Sequence, residues 1–260
     1  NSKYCSMKSR LGSIEVFPPA DKYIYMDAAS VGLTHSKGAT AISNWQKDLA
    51  EKGTVAFTEK DEVECLDNLN DATAKLFNTS VSDIATSSSE TVLMSSLAWA
   101  VMPPKGSNIV ATETSHPSTT YPWMRVAEHS GAEMRWAKAD QSLSIDPDEI
   151  EHLIDENTSV VCLSHVEWGT GQVFDLKRFA DAAHKNGAIC VVDATQSAGQ
   201  IPIDIRISGV DAIATSTYKW LCGPFGTGMM YLSPELQKLS PGIIGWRSHR
   251  DMWDFQADRL

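Results

Sequence analysis

The 260-residue chain lacks any hydrophobic run long enough to cross a membrane, and it lacks a surplus of positive charge. A membrane-spanning helix needs about 18 consecutive apolar residues, so we expect no membrane partner. Lys and Arg together number 22 against 33 Asp and Glu, which gives a formal net charge of −11. Nucleic-acid binding needs a basic face that meets the phosphates, so we expect no nucleic-acid partner.

Motifs of several other enzyme classes are missing as well. No two cysteines have zinc-finger spacing and no His-Glu-x-x-His occurs. The segment His165-Val166-Glu167 matches only the first half of a zinc deaminase motif, because no Pro-Cys-x-x-Cys follows it. The chain also lacks Gly-x-Gly-x-x-Gly after its first strand and Gly-x-Ser-x-Gly. We therefore expect no metal site and neither nicotinamide nor serine-hydrolase chemistry.

Cysteines are few, odd in number and widely scattered: Cys5, Cys65, Cys162, Cys190 and Cys222. Three of them stand among apolar residues, which indicates buried free thiols rather than a disulfide framework. Free thiols persist in a reducing compartment, so we expect a cytoplasmic protein.

What the sequence contains is the pattern of an α/β domain. From about residue 84 onward, short β-branched runs alternate with amphipathic stretches, which predicts a mainly parallel sheet flanked by helices. The predicted strands cover residues 108–111, 133–137, 159–164, 188–193, 212–215 and 228–232. The predicted helices cover residues 36–51, 63–77, 90–101, 119–129, 147–154 and 176–186. We divide the chain into an N-terminal arm (1–35), one large domain (36–240) and a final stretch (241–260).

Polar residues follow two of the predicted strands and the short apolar run Ile84-Ala85, and ligands of open α/β sheets bind at the carboxyl ends of strands. Asp193 ends one strand, Lys219 follows another among aromatic residues, and Ser89 precedes the helix that follows Ile84 and Ala85. Partial desolvation of Lys219 would free a nucleophilic amine, and a helix N-terminus suits an anion. Taken singly, each has a plainer interpretation: a turn-forming aspartate, a solvated surface lysine and an ordinary serine cap.

Taken together, the three features match the needs of pyridoxal phosphate: a lysine for a Schiff base, a carboxylate for the ring nitrogen and an anion site. A carboxylate about 4 Å from that nitrogen, at an effective dielectric near 20, contributes roughly 4 kcal/mol, or about three pKa units. The nitrogen then stays protonated and the ring takes up electrons from a substrate carbanion. We predict pyridoxal 5'-phosphate as the cofactor.

The same residues carry a family resemblance. It lies in residues 191–199, Val-Val-Asp-Ala-Thr-Gln-Ser-Ala-Gly, in residues 202–204, Pro-Ile-Asp, and in residues 216–224, Ser-Thr-Tyr-Lys-Trp-Leu-Cys-Gly-Pro. These segments resemble the class V aminotransferase family, which includes cysteine desulfurases, selenocysteine lyases and isopenicillin N epimerase. The resemblance extends from residues 25–29 to residues 245–246. It implies the large domain of a fold-type I pyridoxal-phosphate transferase.

The resemblance also implies roles at the ring of the cofactor. Lys219 would form the internal aldimine, and Asp193 would pair with the pyridinium. Gln196 would bind the phenolic oxygen. His116 matches the residue that stacks over the ring in desulfurases and would move protons.

Further residues would hold the phosphate. Ser89 and Ser216 would contact it, with the backbone NH groups of Glu90 and Thr91 nearby. Tyr218 occupies a place where desulfurases usually have histidine, and its hydroxyl would reach the phosphate. A neighbouring subunit usually completes this site in the family, so the resemblance implies a homodimer.

The implied reaction is carbon–sulfur lyase or cysteine desulfurase chemistry on an amino-acid substrate, in which Lys219 acts as general base and a quinonoid forms. An epimerase or aminotransferase of the same family is the alternative, as is a catalytically incomplete member that binds the cofactor or a partner. Two departures bear on this choice. Trp168 stands where many desulfurases have asparagine. We also expect this chain to lack the small C-terminal domain, which in the family holds an arginine for the substrate carboxylate, and we expect residues 241–260 to be the start of a connection to it.

Overall fold

Seven strands pair into one sheet in the computed structural model, which describes residues 15–18, 22, 24–248 and 253. The strands are β1 (Ile84–Ser87), β2 (Asn108–Thr112), β3 (Glu133–Ala137), β4 (Thr158–Ser164), β5 (Ile189–Asp193), β6 (Ala212–Ser216) and β7 (Gly228–Leu232). Their order in the sheet is β1-β7-β6-β5-β4-β2-β3. β7 runs antiparallel to both of its neighbours, and all other pairs are parallel. The prediction of a mainly parallel sheet is confirmed.

Helices flank this sheet. They are α1 (Ser36–Lys52), α2 (Glu59–Glu64), α3 (Asp67–Phe77), α4 (Glu90–Val101), α5 (Pro117–Ser130), α6 (Pro147–His152), α7 (Leu176–Lys185) and the one-turn α8 (Ile205–Ser208). Across the described residues, no helix combines the length and apolar character that a membrane crossing requires.

One predicted helix, residues 63–77, is wrong. The chain forms α2 and α3 instead, with a turn between them at Cys65 and Leu66. Thr58 starts α2 through a capping box with Asp61, four residues ahead of the predicted start. Val63 is exposed, so the inward-facing apolar stripe belongs to α3 alone.

The core lies on both faces of the sheet. Successive residues of a strand point to opposite faces, and Val191 and Val192 accordingly belong to two different clusters of buried side chains. Phe174 and Phe179 contribute to the first cluster, and Trp123 contributes to the second. Because helices cover both faces, the central strands are continuous apolar runs, as parallel strands usually are.

The expected buried thiols are present at two positions. Cys162 and Cys190 are buried and free, Cys222 is half-buried, and the prediction is wrong for Cys65, which is exposed where α2 ends. Cys5 lies outside the described residues.

Candidate active site

The sheet brings the predicted strand ends to one edge. Ser164 at the end of β4 lies opposite Asp193 at the end of β5, and Ser87 and Ser216 both pair with Gly228. A cleft of about 570 Å³ opens along this edge. All nine predicted site residues line it: Ser89, Glu90, Thr91, His116, Asp193, Gln196, Ser216, Tyr218 and Lys219.

Asp193 is fixed in the cleft by two donors. Its Oδ2 accepts a hydrogen bond from the Thr119 hydroxyl at 2.7 Å, and its Oδ1 accepts one from the backbone NH of Thr195 at 2.8 Å. The residue is only 6% exposed. The two hydrogen bonds therefore hold the carboxyl group in one orientation at the wall of the cleft.

Lys219 lies in the same cleft and is 9% exposed. Burial lowers the pKa of its amine, and the negative charges of Asp193 and Glu90 oppose this shift. Its Nζ is 6.0 Å from the centroid of the Tyr218 ring, which stacks on Phe225 at 4.5 Å. The sequence predicted a partly desolvated amine among aromatic residues, and the geometry agrees with it.

A segment of the N-terminal arm packs against the lysine loop. The backbone NH of Gly32 donates to the Tyr218 carbonyl at 2.7 Å, and a Cβ on Gly32 would lie 1.9 Å from the Lys219 carbonyl oxygen. Only glycine permits this approach. The Gln196 amide donates to the Ala29 carbonyl at 2.9 Å. The sequence offered no signal for these contacts, because Ala29 and Gln196 are 167 positions apart and Gly32 is still farther from Lys219.

The start of α4 forms the polar end of the cleft. Ser89 caps the helix, and its Oγ accepts a hydrogen bond from the NH of Val92 at 3.2 Å. The NH groups of the first turn have no partners within the helix and point outward. Gly228 allows the helix start to lie directly against β7, because a Cβ there would be 2.2 Å from the Ser89 carbonyl carbon.

Glu90 puts a second carboxyl group into this end of the cleft. The residue is 2% exposed, and among the described residues its Oε1 has no hydrogen-bond partner. Burial, and then the negative charge of Asp193, raise the pKa of Glu90 well above its ordinary value. Both causes disfavour the negative charge of Glu90.

His116 is the N-cap of α5, and its orientation is fixed. Its Nδ1 accepts a hydrogen bond from the NH of Ser118 at 3.2 Å, so the proton of the neutral ring is on Nε2. The ring packs edge-to-face on Trp168, with 5.7 Å between centroids. Burial lowers the pKa of His116; Asp193 opposes this shift and Lys219 adds to it.

Sequence reasoning missed the residues that support the site. Thr119, which anchors Asp193, stands one helical turn after His116, and this spacing was its only signal. Gln196 also carries more contacts than expected, since its Oε1 accepts a hydrogen bond from the Trp220 indole at 2.8 Å. In the ranges that the structure describes, no group of three His, Cys, Asp or Glu side chains could hold a metal ion.

Comparison with known proteins gives a consistent result. A sequence model of the class-V aminotransferases matches residues 24–246. A protein of Methanothermobacter thermautotrophicus named "Probable cysteine desulfurase" is 32% identical over 231 residues, which are 86% of this chain and 56% of that relative. The chain thus spans a little over half the length of this curated relative.

Two solved structures of C-DES are similar in fold. The first, a mutant with glycine covalently linked to its PLP cofactor, has a TM-score of 0.84 at 24% identity and covers 95% of this chain and 66% of its own. The second is the cystine C-S lyase C-DES with its reaction product, cysteine persulfide. Its TM-score is 0.81 at 26% identity, over 89% of this chain and 63% of its own. The likeness confirms the predicted fold, the large domain of fold-type I enzymes.

Proposed function

The chain belongs to the class V aminotransferase family, as its motifs predicted, and we propose that it is a pyridoxal-phosphate enzyme that cleaves a carbon–sulfur bond of an amino acid. The observation that supports this most directly is one cleft that contains a desolvated lysine amine, an anchored carboxylate and a helix N-terminus. The relatives named cysteine desulfurase and cystine C-S lyase support the same chemistry.

The residues present fit this cofactor. Gly228 leaves open the place that a Cβ would fill at the start of α4, and the Ser89 and Ser216 hydroxyls line the cleft beside it. The raised pKa of Glu90 favours its neutral form, which would reduce its repulsion of a phosphate. The backbone NH groups of Glu90 and Thr91 are free donors of the kind that bind phosphate.

Pyridoxal phosphate supplies an electron sink to the α-carbon of a bound amino acid. Lys219 would hold its aldehyde carbon through Nζ, and the free amine would accept the proton of the substrate's α-carbon. The lowered pKa of Lys219 favours the neutral amine that both roles require. Asp193, held by Thr119 and Thr195, would keep a proton on the ring nitrogen.

His116 would serve the leaving sulfur. Since its Nδ1 is engaged by Ser118, its Nε2–H is the group free to face a substrate. Burial lowers the pKa of His116, which favours the neutral imidazole. A neutral imidazole would donate a hydrogen bond through Nε2 to a developing thiolate or persulfide and keep its proton, because transfer of that proton would leave an imidazolate.

Borohydride reduction of the cofactor-loaded protein, followed by peptide mapping, tests the assignment. We expect the pyridoxyl group on Lys219, loss of labelling and turnover in Lys219→Ala, and no change in Lys177→Ala, a surface lysine paired with Asp181. A pyridoxyl group on another lysine, or on none, would contradict the proposal.

The reaction type has its own test, motivated by Trp168, which lines the cleft where many desulfurases have asparagine. Incubation with cysteine or cystine in deuterated water separates the outcomes. A sulfur lyase releases sulfide or persulfide, an epimerase incorporates deuterium at the α-carbon without releasing sulfur, and an aminotransferase produces a keto acid. A chain that binds the cofactor and does none of these would be a catalytically incomplete member.

The assembly and compartment belong to the same proposal. We propose a homodimer, because α1 has no buried residue although it carries Ile42 and Trp45, and because Ile24 and Met26 are exposed beside it in sequence. Analytical ultracentrifugation tests it; a monomer at micromolar concentration would refute it. The free thiols support a reducing, cytoplasmic location. Residues 36–240 remain our proposed cofactor-binding domain, with 1–35 as an arm and 241–260 as a connection.

A further inference from the structure

The loop that follows β4 is tightly folded and reaches the cleft. Residues Val166 and Val173 form an antiparallel bridge across it, and the NH of Glu167 donates to the Gln172 carbonyl at 2.9 Å. Gly171 adopts a φ of +73° and donates its NH back to the Glu167 carbonyl. Backbone hydrogen bonds across the loop therefore fix the positions of Glu167 and Trp168.

Glu167 points inward and binds the turn that precedes His116. The residue is 1% exposed, and its Oε1 accepts hydrogen bonds from the hydroxyls of Thr112 at 2.7 Å and of Ser115 at 3.3 Å. The Thr112 and Ser115 hydroxyls also lie 2.7 Å apart. One buried carboxyl group thus connects the end of β2 to the residue directly before His116.

Trp168 contacts the His116 ring itself. The two rings meet edge-to-face at an interplanar angle of 89°, and Trp168 remains 54% exposed at the mouth of the cleft. An edge-to-face pair fixes the relative plane of two rings and shields the covered one from water. The loop therefore acts on His116 twice, through its turn and through its ring.

We propose that Glu167 and Trp168 are positioning residues for His116: Glu167 fixes the turn that carries it, and Trp168 fixes its ring plane and keeps water from it. The proposal deepens the proposed function and rests on it for its catalytic meaning. It also assigns a role to the His165-Val166-Glu167 segment, which resembles half of a metal motif but binds a hydroxyl pair instead.

Histidine titration by NMR in the full chain tests the contact directly, and His116→Asn assigns the His116 signal. The charged groups that face this ring are Asp193 and Lys219, and neither is altered by the variants. In Trp168→Ala the hydration of His116 increases, so its pKa should rise toward the ordinary value of 6.5. Trp168→Phe keeps an aromatic face and should restore most of the wild-type value.

The chain offers an internal control. His129 has its own edge-to-face tryptophan, Trp99, at 5.2 Å. The His129 titration should stay unchanged in Trp168→Ala, and Trp99→Phe should leave the His116 titration unchanged. An equal His116 titration in Trp168→Ala and wild type would overturn the proposal, because a merely space-filling tryptophan at the cleft mouth predicts that result.

Glu167 is tested with the isosteric variant Glu167→Gln, whose carbonyl still accepts from Thr112 and Ser115, and with Thr112→Val, which removes one donor. Gln should preserve the wild-type His116 signal, and Val should broaden or shift it. An unchanged signal in Thr112→Val would remove Glu167 from the proposal.

In the loaded enzyme, Trp168→Ala should shift the pH–rate profile in parallel with the His116 titration. If the titrations behave as expected and borohydride does not trap a cofactor on Lys219, the positioning role stands and the proposed function falls.

Discussion

Gly228→Ala is the substitution that most directly probes the anion site. In the native structure the Cβ of this alanine would lie 2.2 Å from the Ser89 carbonyl carbon and 2.3 Å from the Glu90 nitrogen. Both are backbone atoms, so no flexible side chain can move aside. Ordinary contact begins at 3.4 Å, and the start of α4 must therefore shift by about 1.2 Å.

That displacement is large compared with the tolerance of a hydrogen bond. An N–H···O bond spans about 2.7–3.2 Å, so NH groups that move by 1.2 Å lose most of their bonds to a bound phosphate. Each bond to a charged group contributes about 1.5–3 kcal/mol. Loss of two bonds, at Glu90 and Thr91, should weaken pyridoxal-phosphate binding by about 10²- to 10⁴-fold. Overpacking should also cost about 1–3 kcal/mol of stability.

Absorbance titration of the protein with pyridoxal phosphate measures the affinity, and urea unfolding without cofactor measures the stability. Gly245→Ala is the matched control, because no atom of the residues that the structure describes lies within 4 Å of its Cβ position and its φ is not positive. If the affinity of Gly228→Ala for the cofactor lies within a few-fold of that of the control while its stability falls, the start of α4 does not hold the phosphate.

Three further substitutions test the remainder of the site. Thr119→Val removes a buried hydrogen bond to the Asp193 carboxyl group and should lower the free energy of unfolding, measured in urea, by about 2 kcal/mol. Thr119→Ser keeps the hydroxyl and should retain most of the wild-type stability. Equal stabilities of Thr119→Val and wild type would show that the hydrogen bond contributes nothing. Glu90 has a folded-state pKa above its unfolded value of 4.5, so wild-type stability should fall as pH rises from about 4.5 through that raised pKa. Glu90→Gln should abolish this fall. If the stabilities of wild type and Glu90→Gln change with pH in the same way from pH 4 to 9, the prediction is refuted. Gly32→Ala places a Cβ 1.9 Å from the Lys219 carbonyl oxygen and should slow borohydride-detectable loading of Lys219; wild-type loading kinetics would contradict this.

Sequence pattern was sufficient for most of the sheet. The predicted strands 133–137 and 228–232 match β3 and β7, and the other predicted strands agree within one residue. The buried β-branched runs of β4 and β5 leave little ambiguity. The direction of β7 was not accessible in this way. Whether a strand runs parallel or antiparallel depends on its neighbours, and β7 pairs with β1, more than 140 residues away in sequence.

The placement of the candidate site residues in one cleft was predictable from the sequence. Lys219, Asp193 and His116 all line the cleft, because strand ends are recognisable and the motifs around them are distinctive. Their supports were not predictable. Gly32 and Glu167 act through contacts between segments that are distant in sequence. Gly32 permits its contact only because it has no side chain.

The charge arrangement explains how an acidic chain can offer a phosphate site. The net charge of −11 opposes anion binding at long range, but that field is screened over about 8 Å in physiological salt. Within the cleft, the two carboxyl groups differ in environment: Asp193 receives hydrogen bonds from Thr119 and Thr195, whereas Glu90 is buried with an oxygen that has no partner in the described part of the chain. Burial, and then the negative charge of Asp193, raise the pKa of Glu90, which favours its neutral form. The end of the cleft at α4 therefore combines backbone NH groups with a carboxyl group whose negative charge is disfavoured, and this combination suits an anion.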